Sequence, residues 1–240
     1  MQYLFKKWDK VKSKIENKYA FIFLDYDGTL AHIAKTPDSA VISKETRRLL
    51  SRISNTTRLK LAFISGRSLS DIKDKIRLKN VIYSGNHGLE IEGPKIKFKP
   101  LVSEGYRRII KRIKNDLKKK IFPIKGCFLE DKGLSLSLHY RLVGKKEQAL
   151  VKTIFHETVI VYLAGNKIKI KHGKKVLEVC PALEWDKGKA LLWLLTRQKF
   201  YKDKTNVVPI YIGDDITDED AFRSLEHIGV TVVVGKAKQS

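Results

Sequence analysis

Three short apolar runs each stop dead at a polar or acidic residue, and this constrains the fold more than anything else in the chain. Ala20-Phe-Ile-Phe-Leu24 ends at Asp25, Leu61-Ala-Phe-Ile64 ends at Ser65, and Val207–Ile212 ends at Gly213-Asp214. Runs of this length fit fully buried strands rather than helices. Val81-Ile-Tyr83 and Val230–Val234 read as two more strands, and Pro209 suggests that regular pairing of its run starts there rather than earlier. Helix signals lie between the runs. Ser43 is a plausible N-cap before Leu49, Leu50 and Ile53; Ser68-Leu-Ser-Asp71 and Thr217–Asp220 resemble capping boxes. Strands alternating with helices predict βαβ units and a parallel sheet. Such a sheet lines up its strand carboxyl ends on one edge, where ligands bind. Asp25, Ser65 and Asp214 are expected at that edge.

The middle of the chain breaks the pattern. From about Val102 to Cys180 there is a helical repeat through Ile109, Ile113, Leu117 and Ile121. The alternating segment Leu134–His139, a helix around Ala149–Phe155 and a hairpin-like stretch over Lys167–Val179 follow. Alternation predicts a half-exposed antiparallel sheet, so this region reads as an α+β domain inserted into the first. It holds 19 basic and 7 acidic residues, about half of the whole chain's net charge of +23. Such a balance favours anionic partners and equally fits a solvated, self-repelling surface. Residues Met1–Lys18 read as a basic helix with Leu4, Trp8, Val11 and Ile15 on one stripe. That pattern suits an anionic membrane, but packing of the stripe on the body of the protein is the expectation. Cys127 and Cys180 are too few for a zinc site or a disulfide framework. No apolar stretch approaches a membrane span, and the N-terminal residues lack a secretory h-region. A cytoplasmic protein is expected.

The chemistry concentrates where the strands end. Asp25 and Asp27, one residue apart, would repel each other without a cation between them. Gly28 and Thr29 after them let the backbone turn and offer amides to an anion. Gly213–Asp220 holds five acids in eight residues. Asp214 and Asp215 precede the helix and suit a hard cation such as magnesium; Asp218 and Asp220 are in part acids favoured at a helix start. Ser65-Gly66-Arg67 puts a hydroxyl at another strand end. Lys187 opens an apolar helix against its dipole, which an anion nearby would explain.

In order, Asp25–Leu30, Ser65, Lys187 and Gly213–Asp215 resemble the four motifs of the haloacid-dehalogenase-like phosphatases. The resemblance narrows to the trehalose-6-phosphate phosphatases with Pro37 and Ala40, Ser65–Ser68, Gly85–Glu90, Glu130–Ser135, His139–Arg141 and Gly173–Glu178. It covers nearly the whole chain. It implies an α/β fold with a Rossmann-like parallel core over 1–101 and 181–240, helices on both faces, and an α+β cap over 102–180 that sets specificity. Asp25 would be the nucleophile and Asp27 the general acid and base. Mg2+ would sit on the Asp25 carboxylate, the Asp27 carbonyl and Asp214, supported by Asp215 and Asp218. Ser65 and Lys187 would hold the phosphoryl group. Arg67, Asn86 and His87 would lie near the sugar phosphate, and Glu130, Lys132, Arg141 and Glu178 would bind sugar hydroxyls.

Two departures from the family pattern stand out: Cys180 replaces a usual Arg, and the sequence ends at Ser240 where members usually continue with a strand and a helix. The expected reaction is hydrolysis of trehalose 6-phosphate through an aspartyl phosphate. Another sugar phosphate, such as sucrose or glucosylglycerol phosphate, is the alternative substrate, and a non-catalytic anion-binding module is the remaining one. The expected partner is the small sugar phosphate, without nucleic acid or membrane. A monomer linked functionally to trehalose-6-phosphate synthase completes the expectation.

Overall fold

The computed structural model describes residues 3–197 and 206–235. The chain divides into two units, residues 1–99 with 185–240 and residues 100–184. The first unit runs α1 (Trp8–Ile15), β1 (Tyr19–Leu24), α2 (Lys44–Ser54), β2 (Leu59–Ile64), α3 (Leu69–Ile76), β3 (Ile82–Gly85), β4 (Glu90–Gly93) and β5 (Ile96–Phe98). It resumes with α6 (Lys187–Arg197), β10 (Val207–Gly213), α7 (Glu219–Leu225) and β11 (Val230–Val233). Between them the second unit supplies α4 (Glu104–Ile121), β6 (Phe128–Asp131), β7 (Leu136–His139), α5 (Gln148–Ala164), β8 (Ile168–Gly173) and β9 (Val176–Pro181).

The seven-stranded sheet has the order β11-β10-β1-β2-β3-β4-β5. The five strands read from the sequence are its parallel part; β4 and β5 extend it antiparallel. Side chains alternate across the sheet. Phe21, Phe23 and Ile64 pack with Leu191 and Leu194 of α6 and Leu225 of α7. Leu24 and Phe63 pack on the other face with Leu50 of α2 and Ile72 and Ile76 of α3. The chain is therefore α/β with helices on both faces of a mainly parallel sheet.

The N-caps expected of Ser43 and Ser68 are present: each hydroxyl accepts an amide hydrogen, from Thr46 at 3.0 Å and from Asp71 at 3.2 Å. Three expectations are corrected. β10 pairs with β1 from Val207 onward, not from Pro209. A Cβ added to Gly229 would lie 2.5 Å from the Pro209 carbonyl, so the edge of Pro209 without a donor faces β11, whose pairing begins only at Ile210. Asp215, not Thr217, caps the 3-10 turn Ile216–Asp218 that leads into α7, and it closes a capping box with Asp218. Finally, the N-terminal stripe is only partly covered: Leu4, Val11 and Ile15 are half-buried, Trp8 is exposed, and no residue of α1 joins a packed cluster of the described residues.

In the second unit, β6-β7-β9-β8 form an antiparallel sheet. Leu136, Leu138, Leu177 and Val179 pack against Ile113 and Leu117 of α4 and Phe155 of α5. By alternation, Ser137 and Glu178 take the opposite face. Glu130, Ser137 and Glu178 stand in one row across three strands. Residues 100–101 and 181–184 group with this unit rather than the first, since Pro181 still pairs with Ile168.

Candidate active site

Asp25 sits one residue beyond β1, where its backbone amide still donates to the Ile212 carbonyl of β10 at 2.9 Å. The strand run thus delivers a carboxylate to the sheet edge. Lys187, in the first turn of α6, donates from Nζ to Oδ1 of Asp25 and to Oδ1 of Asp218, both at 2.7 Å. Lys187 is only 3% exposed and Asp218 fully buried. The Tyr211 hydroxyl also donates to Asp218 Oδ1, at 2.6 Å, and the amides of Asp214 and Asp215 donate to Oδ2 at 2.9 and 3.0 Å. These four donors occupy both oxygens of Asp218. It fixes the loop after β10 and aims Lys187 at Asp25.

Burial pushes the Asp25 carboxyl up to about 7, against the lowering effect of the Lys187 ammonium. Burial also pushes Asp218 up, but Lys187 and the hydrogen-bond donors outweigh it and hold this carboxyl below the ordinary range. Lys187 stays well above its usual value despite burial, because Asp25 and Asp218 stabilise its charge. The lysine that opposes its helix dipole is thus accounted for by two carboxylates.

Gly28 brings Asp214 into this group. Its φ is +95°, and a Cβ there would stand 2.1 Å from Asp214 Oδ2. Only glycine fits both that backbone and that contact. Ligand oxygens of Asp25, Asp214 and Asp218 lie within 4.8 Å of one another. Three acids with the one lysine bonded to two of them leave a deficit of about two positive charges, and the donors are hard oxygens. The site therefore fits a divalent cation. Asp215 is not in this cluster; its carboxylate accepts the amide of Ile216 at 2.7 Å.

Asp27 is turned the other way. Arg67 holds its carboxylate bidentately, Nε to Oδ2 and Nη2 to Oδ1, each at 2.7 Å. Arg67 is itself anchored by Asp71 at 2.5 Å and the Pro37 carbonyl at 2.9 Å. Ser65 is buried beyond β2, its Oγ accepting the Arg67 amide at 3.2 Å. Asn86 and His87 follow β3 with left-handed backbones. Asn86 Nδ2 donates to Glu90 at 2.7 Å, and the His87 amide donates to the Ser65 carbonyl at 2.9 Å. Arg67 is therefore bound to Asp27, and Asn86 to Glu90.

In the second unit, Lys132 Nζ lies 3.3 Å from Glu178 Oε2, each side chain 6% exposed. His139 Nε2 lies 2.7 Å from Glu130 Oε2, with its ring stacked on Phe128 at 4.6 Å. Burial raises the Glu130 carboxyl, but His139 and Lys132 bring it below the ordinary range. The Arg141 guanidinium donates to the Lys174 carbonyl at the β8–β9 turn, at 2.6 Å. Buried Cys180 donates weakly to the Lys169 carbonyl at 3.5 Å.

Sequence reasoning missed three participants. Tyr211 reads as one more apolar strand residue, and nothing in the run marks its hydroxyl. Asp71 is four residues from Arg67, the spacing of a helical ion pair, which could have signalled it. His139 belongs to a quoted motif but only the fold sets it against Glu130.

The sequence pattern of the trehalose-phosphatase family matches residues 23–240. Trehalose-phosphate phosphatase B of Arabidopsis thaliana is 34% identical over 233 residues, covering 92% of this chain and 60% of its own. Trehalose 6-phosphate phosphatase RA3 of Zea mays is 33% identical over 245 residues, covering 96% of this chain and 66% of its own. The chain thus spans about 60% of the length of the Arabidopsis relative. The solved C-terminal domain of the C. albicans trehalose-6-phosphate phosphatase shares the fold, with a TM-score of 0.77, 23% identity, and coverage of 92% of this chain and 78% of that one. A carboxylate, lysine and acid cluster at the sheet edge, in a chain matched over 23–240, places this protein in the trehalose-phosphatase family.

Proposed function

We propose that the protein hydrolyses trehalose 6-phosphate to trehalose and phosphate, with magnesium as its metal. The observation that carries this reading is the buried Asp25–Lys187–Asp218 cluster with Asp214 beside it, in a chain of this family. The ion would be held by the carboxylates of Asp25 and Asp214 and the carbonyl of Asp27, with Asp215 and Asp218 fixing the loop. When bound, it supplies the positive charge that offsets a dianionic phosphate monoester.

The chain's own residues do the rest. Lys187 orients Asp25 and neutralises part of the repulsion between carboxylate and phosphate. An Asp25 oxygen attacks phosphorus as the bond to the sugar oxygen breaks, giving an aspartyl phosphate. Asp27 gives its proton to the leaving sugar oxygen. It then takes one from the water that attacks phosphorus and releases Asp25. Arg67 aims Asp27 at that oxygen and must loosen one bond when the proton is held. Ser65 and Lys187 hold the phosphoryl oxygens, with Asn86 and His87 beside the sugar phosphate. Glu130, Lys132, Arg141 and Glu178 take the sugar hydroxyls, and the second unit is thereby a specificity cap.

Two free thiols, Cys127 and Cys180, support a reducing, cytoplasmic location, and no helix among the described residues is long and apolar enough to cross a membrane. A synthase that transfers a glucosyl group onto a sugar 6-phosphate would supply the substrate, and a monomer suffices for the chemistry. The test is phosphate release from a panel of sugar phosphates with magnesium and after exhaustive chelation. Preference for trehalose 6-phosphate and loss on chelation are expected. Equal rates on sucrose or glucosylglycerol phosphate would overturn the substrate, and undiminished activity after chelation would overturn the metal.

A further inference from the structure

The segment from Tyr3 to Lys18 has two properties that nothing inside the described protein uses. Tyr3, Phe5 and Trp8 are 66, 69 and 45% exposed, and the rings of Tyr3 and Phe5 meet at 5.6 Å. No residue of the turn Leu4–Lys7 or of α1 is buried. The same stretch carries Lys6, Lys7, Lys10, Lys12, Lys14 and Lys18 against only Asp9 and Glu16. Among the described residues, none of these six ammonium groups is in an ion pair. Elsewhere Lys73, Lys99, Lys114 and Lys169 are paired with carboxylates.

Exposed rings beside uncompensated lysines need a surface that is both apolar and anionic. We propose that Tyr3–Lys18 docks on an acidic lipid bilayer, its rings at the headgroup boundary and its lysines on lipid phosphates. Trp and Tyr favour that boundary because their rings are apolar at one end and polar at the other. Lysine stems lie along apolar surface while their ammonium groups reach the phosphates. Clusters of four to eight basic residues near an interfacial helix recognise acidic lipids. A nucleic-acid surface fits less well, since base and phosphate recognition favours the arginine fork and the segment holds no arginine. So short an element gives reversible docking rather than insertion. This inference is independent of the hydrolytic reading.

The test is sedimentation of the full chain with vesicles of phosphatidylcholine alone or mixed with phosphatidylserine. Binding to the mixed vesicles should be at least about tenfold stronger and should weaken with salt. Phe5→Ser with Trp8→Ser, and separately Lys6→Gln with Lys7→Gln and Lys10→Gln, should each lower it about tenfold. Hydrolysis of a small aryl phosphate should be unchanged in both, reporting that the catalytic unit is intact. Absence of binding would overturn the proposal, as would binding that survives both sets of substitutions, which would assign it to the basic second unit. Loss of vesicle binding to competing RNA at equal charge, or concentration-dependent self-association abolished by the aromatic substitutions, would also overturn it.

Discussion

Asp25 is held in a site where one lysine faces three acids, and two measurements on one variant follow from that. Asp25→Asn removes the proposed nucleophile, so turnover should fall below about a thousandth of wild type. Its effect on stability has the opposite sign. The folded carboxyl sits near 7 against an ordinary 3.8, so between those values the folded chain keeps a proton that the unfolded chain has released. Stability from this group is full below the ordinary value and is lost as pH rises through about 7. The metal-free variant should therefore melt a few degrees above the metal-free wild type at about pH 8, with the gap closing toward about pH 4. A thermal melt series checks this, and an equal gap at both ends would assign it to something other than Asp25. Arg67 offers a second handle. Arg67→Lys keeps the charge but loses the two-bond grip on Asp27. Turnover should drop about 10²-fold or more with little change in KM, the signature of a misdirected proton donor. A rise in KM with unchanged kcat would mean that Arg67 touches substrate rather than Asp27. That Asp25 and Asp214 meet at the sheet edge could be read in the sequence, because acids placed where an apolar run stops have few structural uses. The Arg67 grip could not, because a guanidinium looks the same in sequence whether it meets a carboxylate or a ligand.

The loop after β1 and the loop after β10 meet through a single glycine. Gly28→Ala puts a methyl where Asp214 Oδ2 stands and forces a left-handed backbone on an L-residue. The backbone alone costs roughly 1–2 kcal/mol, and displacement of Asp214 should weaken magnesium binding by more than the loss of stability accounts for. Calorimetric titration of the folded variant checks this; wild-type metal affinity would separate Asp214 from the metal. At this scale the five parallel strands and the caps at Ser43 and Ser68 could be read from sequence, because buried runs and hydroxyl caps are local signals. The features that escaped depend on neighbours. β4 and β5 are short, and their existence is decided by pairing with β3. Pro209 tolerates a strand interior because of where β11 begins, and Asp215, not Thr217, caps the turn Ile216–Asp218 ahead of α7 because Asp218 is turned toward its amide. The Leu4–Ile15 stripe has a pattern suited to packing, but periodicity does not say on what a stripe packs.

For the molecule as a whole, the proposed function would divide the work between the two units, chemistry common to phosphate esters in the first and recognition of one sugar in the second. Glu130 and Glu178 lie in one row on the second unit's sheet, and each already has a cationic or ring partner there, His139 or Lys132. A purely structural account makes these pairs ordinary bridges. Breaking the Lys132–Glu178 pair, each side chain 6% exposed, by removing one partner then destabilises by roughly 3–5 kcal/mol, and every activity should fall together. On the proposed account the carboxylates accept hydrogen bonds from sugar hydroxyls, each worth about 1.5–3 kcal/mol when the acceptor is charged. Binding energy from that remote part of the substrate is used to reach the transition state. Glu130→Ala and Glu178→Ala should therefore cut kcat/KM for trehalose 6-phosphate by about 10- to 200-fold each. A small aryl phosphate has no such hydroxyls and depends on Asp25, Asp27, Asp214, Ser65 and Lys187 alone, so its hydrolysis should stay within about twofold of wild type. His139→Gln separates the two accounts further. Glutamine still donates to Glu130, so trehalose 6-phosphate hydrolysis should be largely retained, whereas His139→Ala should follow Glu130→Ala. Equal losses on both substrates in variants that also melt early would reduce Glu130 and Glu178 to structural bridges and remove sugar recognition from the second unit.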